Sequence, residues 1–237
     1  MKTIVLACDV GGRQDYAALC GIQIQKGPMH KLGEGGPRQF VVTYLDQMLG
    51  LGYLQVEEAM TALLEYYANK EPCYLVPVVD ARGVGAPIVE LLAERDVRPI
   101  GLMATTGFSE SRPSAILGGK ALEIKVSNTK LLAAIRTARA NDELVIDEDL
   151  DMAGELAKQM MNVEPQLTEK KKSERFDAPT GQHDDLLAAT MMGLYVAQRL
   201  DATDRSVSLA PLLRYVGLGW QDAKTQSALA PPVGAWT

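Results

Sequence analysis

Two apolar runs that each stop on an aspartate and then turn through glycines constrain this chain more than any other feature. The first is Ile4-Val5-Leu6-Ala7-Cys8-Asp9-Val10-Gly11-Gly12. The second is Tyr74-Leu75-Val76-Pro77-Val78-Val79-Asp80-Ala81-Arg82-Gly83-Val84-Gly85. Uninterrupted β-branched and aliphatic runs of this length suit strands covered on both faces, as in parallel sheets. Glycine directly after such a strand lets the backbone turn sharply and come close to its end. Ligands of open α/β sheets bind beyond the carboxyl ends of the strands. If the two runs are neighbouring strands, Asp9 and Asp80 meet at one such end.

The rest of the chain reads as a scaffold for that meeting. Tyr16 to Gln25 and Gln39 to Leu49 are strand-like and form a meander with the first run. Val56, Ala59, Met60, Leu63, Leu64 and Tyr67 recur at helical spacing, with Asn69 and Pro72 as stop signals. A helix is expected from about Ala86 to Arg95, with Pro87 in its first turn. Pro99 to Thr105 and Leu122 to Val126 are expected strands, and the Ser/Gly/Pro-rich stretch 107–119 between them a loop. The alternation of strand and helix implies parallel pairing with right-handed crossovers. Asn128 or Thr129 is expected to cap a helix reaching Ala140. A short strand at Leu144 to Ile146 and a helix from Met152 to Asn162 follow. Gln166 to Pro179 is polar, contains Lys170-Lys171-Lys172, and reads as a solvent-exposed hairpin. A helix from Asp184 to about Leu200 buries Leu187, Met191, Leu194 and Tyr195. The expected organisation is one domain over residues 1–200 and a surface-packed or flexible tail over 201–237.

Composition narrows the function classes. Of 237 residues, 47% are apolar and 23% charged, which is ordinary for a globular protein with a sizeable core. The net charge of −6 provides no global basic field, so binding to a polyanion must use local Lys/Arg patches or bound metal. No apolar run approaches the ~18 residues of a membrane span, and the N-terminus has no signal-peptide pattern. Cys8, Cys20 and Cys73 form no CxxC pair and are expected as reduced core residues in a cytoplasmic setting.

The acidic positions carry the chemistry. Asp9 and Asp80 each read alone as turn-formers, because Asp and Gly are ordinary turn residues. Placed side by side they repel, and stay ionised together only with a cation between them. Neither a lysine nor an arginine is built into both motifs, so a divalent ion suits the pair, and carboxylate oxygens suit Mg²⁺ or Mn²⁺. Gln182-His183-Asp184-Asp185-Leu186-Leu187 opens the last helix. Acids there cap a helix and complement its dipole. One of Asp184 and Asp185 can do so while the other faces the metal. Asp15 reads either as a further acid beside the site or as plain surface. His183 reads either as a contact to the site or as a cap of the preceding turn.

In this order, Asp9 with Asp15-Tyr16 behind it, Val79-Asp80-Ala81-Arg82-Gly83-Val84-Gly85 and His183-Asp184-Asp185-Leu186 resemble the nuclease domain of phage large terminase subunits. That family belongs to the ribonuclease H-like, or retroviral integrase-like, superfamily, and the likeness spans roughly residues 1–200. It implies an α/β fold with a mixed central β-sheet flanked by helices and an extra β-hairpin. It further implies a two-metal-ion endonuclease cleaving double-stranded DNA. Asp9, Asp80 and one of Asp184/Asp185 would hold two Mg²⁺ or Mn²⁺ ions, ~3.5–4 Å apart. The implied partners are a packaging ATPase domain, a portal and a small terminase subunit, in the cytoplasm of an infected bacterium, with no membrane. The family often has a basic residue just before the helix that starts here near Asn128, where this chain offers Lys125 and Lys130 instead. With Arg82, Lys170, Lys171 and Lys172 these are the candidate DNA contacts. No GxxxxGK[ST] phosphate loop occurs, so an excised nuclease domain or a stand-alone relative is expected. Two other readings share these features: an actin/sugar-kinase-like nucleotide-binding domain, and a catalytically silent module that docks DNA or a portal.

Overall fold

The computed structural model describes residues 2–11, 15–26, 38–106, 109–162, 166–167, 174–175 and 184–200. The first apolar run is β1 (Lys2–Asp9), and the meander continues through β2 (Tyr16–Lys26) and β3 (Arg38–Leu49). Helix α1 (Tyr53–Lys70) leads to the second run, β4 (Cys73–Asp80), and α2 (Ala86–Glu94) to β5 (Ile100–Thr105). Then come β6 (Ser114–Ile116), β7 (Ala121–Ser127), α3 (Asn128–Ala140), β8 (Leu144–Ile146) and α4 (Ala153–Asn162). Strands β9 (Gln166–Leu167) and β10 (Glu174–Arg175) precede the last helix, α5 (Asp185–Leu200).

Eight strands form one sheet in the order β6-β7-β5-β4-β1-β2-β3-β8. β1 runs antiparallel to β2 and parallel to β4, so the two aspartate-tipped runs are neighbours, with Cys8 beside Val79. β4, β5 and β7 continue the parallel half, and β8 pairs parallel with β3. The result is a mixed sheet covered by helices, as expected. β9 and β10 pair antiparallel as a separate two-stranded ribbon, which is the expected hairpin; Lys170, Lys171 and Lys172 between them lie outside the described residues.

The two-residue period of the strands sorts the core into two layers. Val5 and Ala7 of β1, Ala18, Cys20 and Ile22 of β2, and Val76 and Val78 of β4 pack with α3, α4 and α5. Ile4, Leu6, Cys8, Leu19 and Val79 face the other way, against α1 and α2. Helix α5 is buried nearly all round, beyond the single face expected for it. Small residues make this possible. A Cβ on Gly193 would already lie 3.1 Å from both Ala7 Cβ and Ile22 Cδ1, so α5 rests directly on β1 and β2. Each fully buried aliphatic side chain in these layers contributes about 1.5–3 kcal/mol. The core thus holds α5 firmly against the strands whose ends carry the acids.

Two local expectations need correction. The stretch read as a loop contains β6, which pairs antiparallel with β7 through Ala115 and Leu122. Three residues are too few to show a period of two, so only pairing reveals the strand. The cap of α3 is Ser127, not Asn128 or Thr129; its hydroxyl accepts from the Lys130 backbone N–H at 3.3 Å. All three cysteines are free, with Cys8 and Cys20 buried and Cys73 half-buried. Burial pushes the Cys20 thiol up to about 12, against the opposing hydrogen bond from Thr190, which leaves it unreactive near neutral pH.

Candidate metal centre

Register places the acids. Asp9 pairs with Ala18 and Ala18 with Gln47, while Asp80 follows Val79, the partner of Cys8. Asp9 continues the parity of Val5 and Ala7, and Asp80 that of Val76 and Val78. Both therefore emerge on the α5 side of the sheet. Ala18 lies between Asp9 and Gln47 in this row. The first turn of α5 brings Asp184 and Asp185 to the same place. The Asp184 carbonyl accepts from Ala188 N–H at 2.8 Å, and Gln159 of α4 accepts from the Leu187 N–H at 3.0 Å. A side chain from another helix thus satisfies one of the unpaired donors of the α5 N-terminus.

The turns that follow the strands are shaped around this end of the sheet. A Cβ on Gly85 would fall 1.6 Å from the Asp80 carbonyl oxygen, and one on Gly11 1.9 Å from that of Tyr16. Only glycine permits these approaches. Gly83 stands in the left-handed region at φ +52°, with open space where a side chain would be.

Charge dominates the site. Burial, then the charges of Asp80 and Asp185, hold the Asp9 carboxyl well above the usual range; Arg82 opposes them and Asp184 adds to them. The charges of Asp80, Asp185 and Asp184 thus all act on the Asp9 carboxyl. Arg82 supplies the compensation that the sequence did not reveal. Its Nε donates to both Asp80 oxygens at 3.0 Å, its Nη2 donates to Oδ2 at 2.6 Å, and its backbone N–H donates to Oδ1 at 3.0 Å. Asp80 is almost fully buried, whereas the Arg82 side chain is half exposed. Among the described residues, no three His, Cys, Asp or Glu side chains stand close enough together to hold an ion. In kind the donor set still suits a hard divalent cation, since it is all carboxylate oxygen and four acids face one guanidinium.

Gln47 is the residue that sequence reasoning missed. Its Nε2 donates to Asp185 Oδ2 at 3.1 Å, across 138 positions of sequence. An amide in a strand carries no local signal; only the β2–β3 register would have pointed to it. Asp15 is exposed at the start of β2, where its carbonyl accepts from Gly50 N–H at 3.4 Å. Lys130 is committed to Glu110 at 2.6 Å, and Arg199 reaches the same carboxylate at 2.5 Å. Burial pushes the Glu110 carboxyl up, but hydrogen bonding by Lys130 and Tyr195 and then the Arg199 and Lys130 charges outweigh it and hold the carboxyl below its ordinary range. Lys125 alternates with the buried Ile124 and Val126 and so lies on the face away from the acids, 3.6 Å from Glu123. His183 lies outside the described residues.

No family model matches this sequence, and no curated protein matches it. Among solved structures, the large terminase nuclease from thermophilic phage G20c is similar, with a TM-score of 0.53 and 16% identity. The likeness covers 83% of this chain and 81% of that one. Identity this low speaks for the architecture and leaves the chemistry to the residues themselves. The mixed sheet and its helical layers are thus the ribonuclease H-like fold that this chain shares with a phage large terminase nuclease.

Proposed function

We propose that this chain is a divalent-metal-dependent endonuclease that cuts double-stranded DNA with little sequence preference during phage genome packaging. The observation that carries the reading is the gathering of Asp9, Asp80, Asp184 and Asp185 at one end of two adjacent parallel strands, on one face of the sheet. The likeness of fold to a terminase nuclease supports it.

Asp9, Asp80 and Asp185 are the residues that would hold Mg²⁺ or Mn²⁺. Asp185 is preferred to Asp184 because its charge acts more strongly on Asp9 and its carboxylate is oriented by Gln47. The chemistry that such an ion would supply there is activation of a water and charge stabilisation of the leaving oxygen of a phosphodiester. The chain's own part is positioning. Asp9 and Asp80 sit on strand ends fixed by the core, so their oxygens are placed by rigid backbone rather than by a loop. The α5 N-terminus favours negative charge on Asp184 and Asp185. Gln47 fixes the rotation of Asp185 in the way that hydrogen-bonding partners orient metal ligands generally. Reading of base edges needs side chains shaped to the grooves, and the carboxylate cluster offers none, so low sequence preference is expected. Within this reading the partners are DNA, a packaging ATPase, a portal and a small terminase subunit, and the setting is the cytoplasm of an infected bacterium.

The test is plasmid cleavage by the purified chain in Mn²⁺ or Mg²⁺, with EDTA and Asp80→Asn as controls. Cutting that needs the metal and Asp80, without ATP hydrolysis, is the expected result. Robust ATP turnover without DNA cutting would overturn the reading in favour of a nucleotide-binding domain.

A further inference from the structure

Arg82 occupies the carboxylate that a metal ion would need. Its guanidinium and its backbone N–H together engage both oxygens of Asp80 through four hydrogen bonds of 2.6–3.0 Å. A guanidinium cannot shed its charge in a protein, so it cannot share those oxygens with a divalent cation by deprotonating. Two positive groups seated on one buried carboxylate repel at short range. Loading the site therefore requires the side chain to leave while the backbone bond remains. The surroundings permit that movement. The Arg82 side chain is 51% exposed, and the neighbouring Gly83 borders open space.

Once displaced, the guanidinium stands at the mouth of the acidic cluster and needs an anion. Its planar fork matches a phosphate, which it can engage bidentately. We infer that Arg82 is an exchangeable counterion: it neutralises Asp80 in the metal-free protein, yields to a divalent cation, and is then taken up by a backbone phosphate of the DNA. The exchange makes metal and DNA reinforce one another, because each removes a cost of binding the other, and such coupling is reciprocal. It also keeps the metal weakly bound until a nucleic acid is present. This inference rests on the reading of the acids as the metal centre of a DNA-cutting enzyme.

The experiment is calorimetric titration of the full chain with Mn²⁺ in the absence of DNA, comparing the parent with Arg82→Gln, Arg82→Lys and Asp80→Asn. Arg82→Gln should bind Mn²⁺ about tenfold more tightly than the parent, with Arg82→Lys between them. A second titration uses Ca²⁺, to limit cutting, with and without a short DNA duplex. The duplex should tighten Ca²⁺ binding to the parent clearly more than to Arg82→Gln. Mn²⁺ affinity in Arg82→Gln equal to or below the parent's, or an equal duplex effect in both proteins, would overturn the exchange. If circular dichroism shows Arg82→Gln unfolded, Arg82→Lys decides: tighter Mn²⁺ binding than the parent supports the exchange, and unchanged binding overturns it. Asp80→Asn separates the two levels of the argument. Loss of Mn²⁺ binding in that variant upholds the metal centre whatever Arg82 does, and retention overturns the metal centre together with the exchange.

Discussion

Replacing Gly85 by alanine should disable the site, whereas replacing Gly83, two residues earlier, should not. A Cβ on Gly85 would lie 1.6 Å from the Asp80 carbonyl oxygen and 2.8 Å from its carbon. Both atoms are backbone, so no rotamer relieves the clash. Real Cβ contacts do not fall below 3.0 Å, so the strand end or the turn must give way until the first distance nearly doubles. Overpacking of this kind costs about 1–3 kcal/mol, and more where the backbone is stiff. The strand end that would move carries Asp80 itself. Misplacing a reacting group by about 1 Å can lower a rate ~10²-fold. Gly83 differs in both respects. Its φ of +52° makes alanine there cost about 1–2 kcal/mol through the left-handed backbone alone, and nothing lies within 4 Å of the added methyl. The expected outcome is therefore a split. Gly85→Ala loses about 2–3 kcal/mol in urea denaturation and ~100-fold in Mn²⁺-dependent plasmid nicking. Gly83→Ala loses less stability and nicks near the parent rate. Equal nicking by Gly85→Ala and the parent would refute the argument, as would a Gly83 variant as inactive as the Gly85 one.

Asp9→Asn should abolish cleavage yet raise the melting temperature of the metal-free protein. Burial and the nearby acids lift the folded Asp9 carboxyl above its unfolded value, so the folded state binds the proton more tightly. Stability is then lost as pH rises through the raised value, and the asparagine removes that loss; a lower melting temperature at about pH 8 would count against it. Gln47→Ala should keep the fold but weaken Mn²⁺ binding about 10–100-fold in calorimetry. Unchanged affinity would show that Asp185 needs no such support. Replacing Lys170, Lys171 and Lys172 together by alanine should flatten the slope of log DNA affinity against log salt by roughly 1–3 units, at about 0.9 per phosphate contact. Fluorescence anisotropy over a salt series in Ca²⁺ reads this, and an unchanged slope would make the three lysines mere solvation.

Much of this molecule is written in local pattern. The runs ending at Asp9 and Asp80 are continuous because strands covered on both faces need apolar residues at every position, and that signature survives without any knowledge of neighbours. Helices α1 and α5, the glycine turns and the acidic start of α5 follow equally from spacing and from the stereochemistry of single residues. The candidate acids could therefore be named from the sequence, since each sits where an element begins or stops. Pairing decided the rest. Whether β1 lies beside β4, and so whether Asp9 and Asp80 share an end, depends on contacts between residues some seventy positions apart. β6 became a strand only because β7 lies next to it, and Ser127 became the cap of α3 through a one-residue difference in where β7 ends. Gln47 acquired its role from the β2–β3 register and the packing of α5 on the sheet, neither of which marks a glutamine in advance. Arg82 is the sharpest case. It stands two residues after Asp80 in plain view, but charge near charge in sequence does not say which way a side chain turns. The choice was made in three dimensions, where burial of Asp80 requires a partner and the turn through Gly83 leaves the guanidinium free to be that partner.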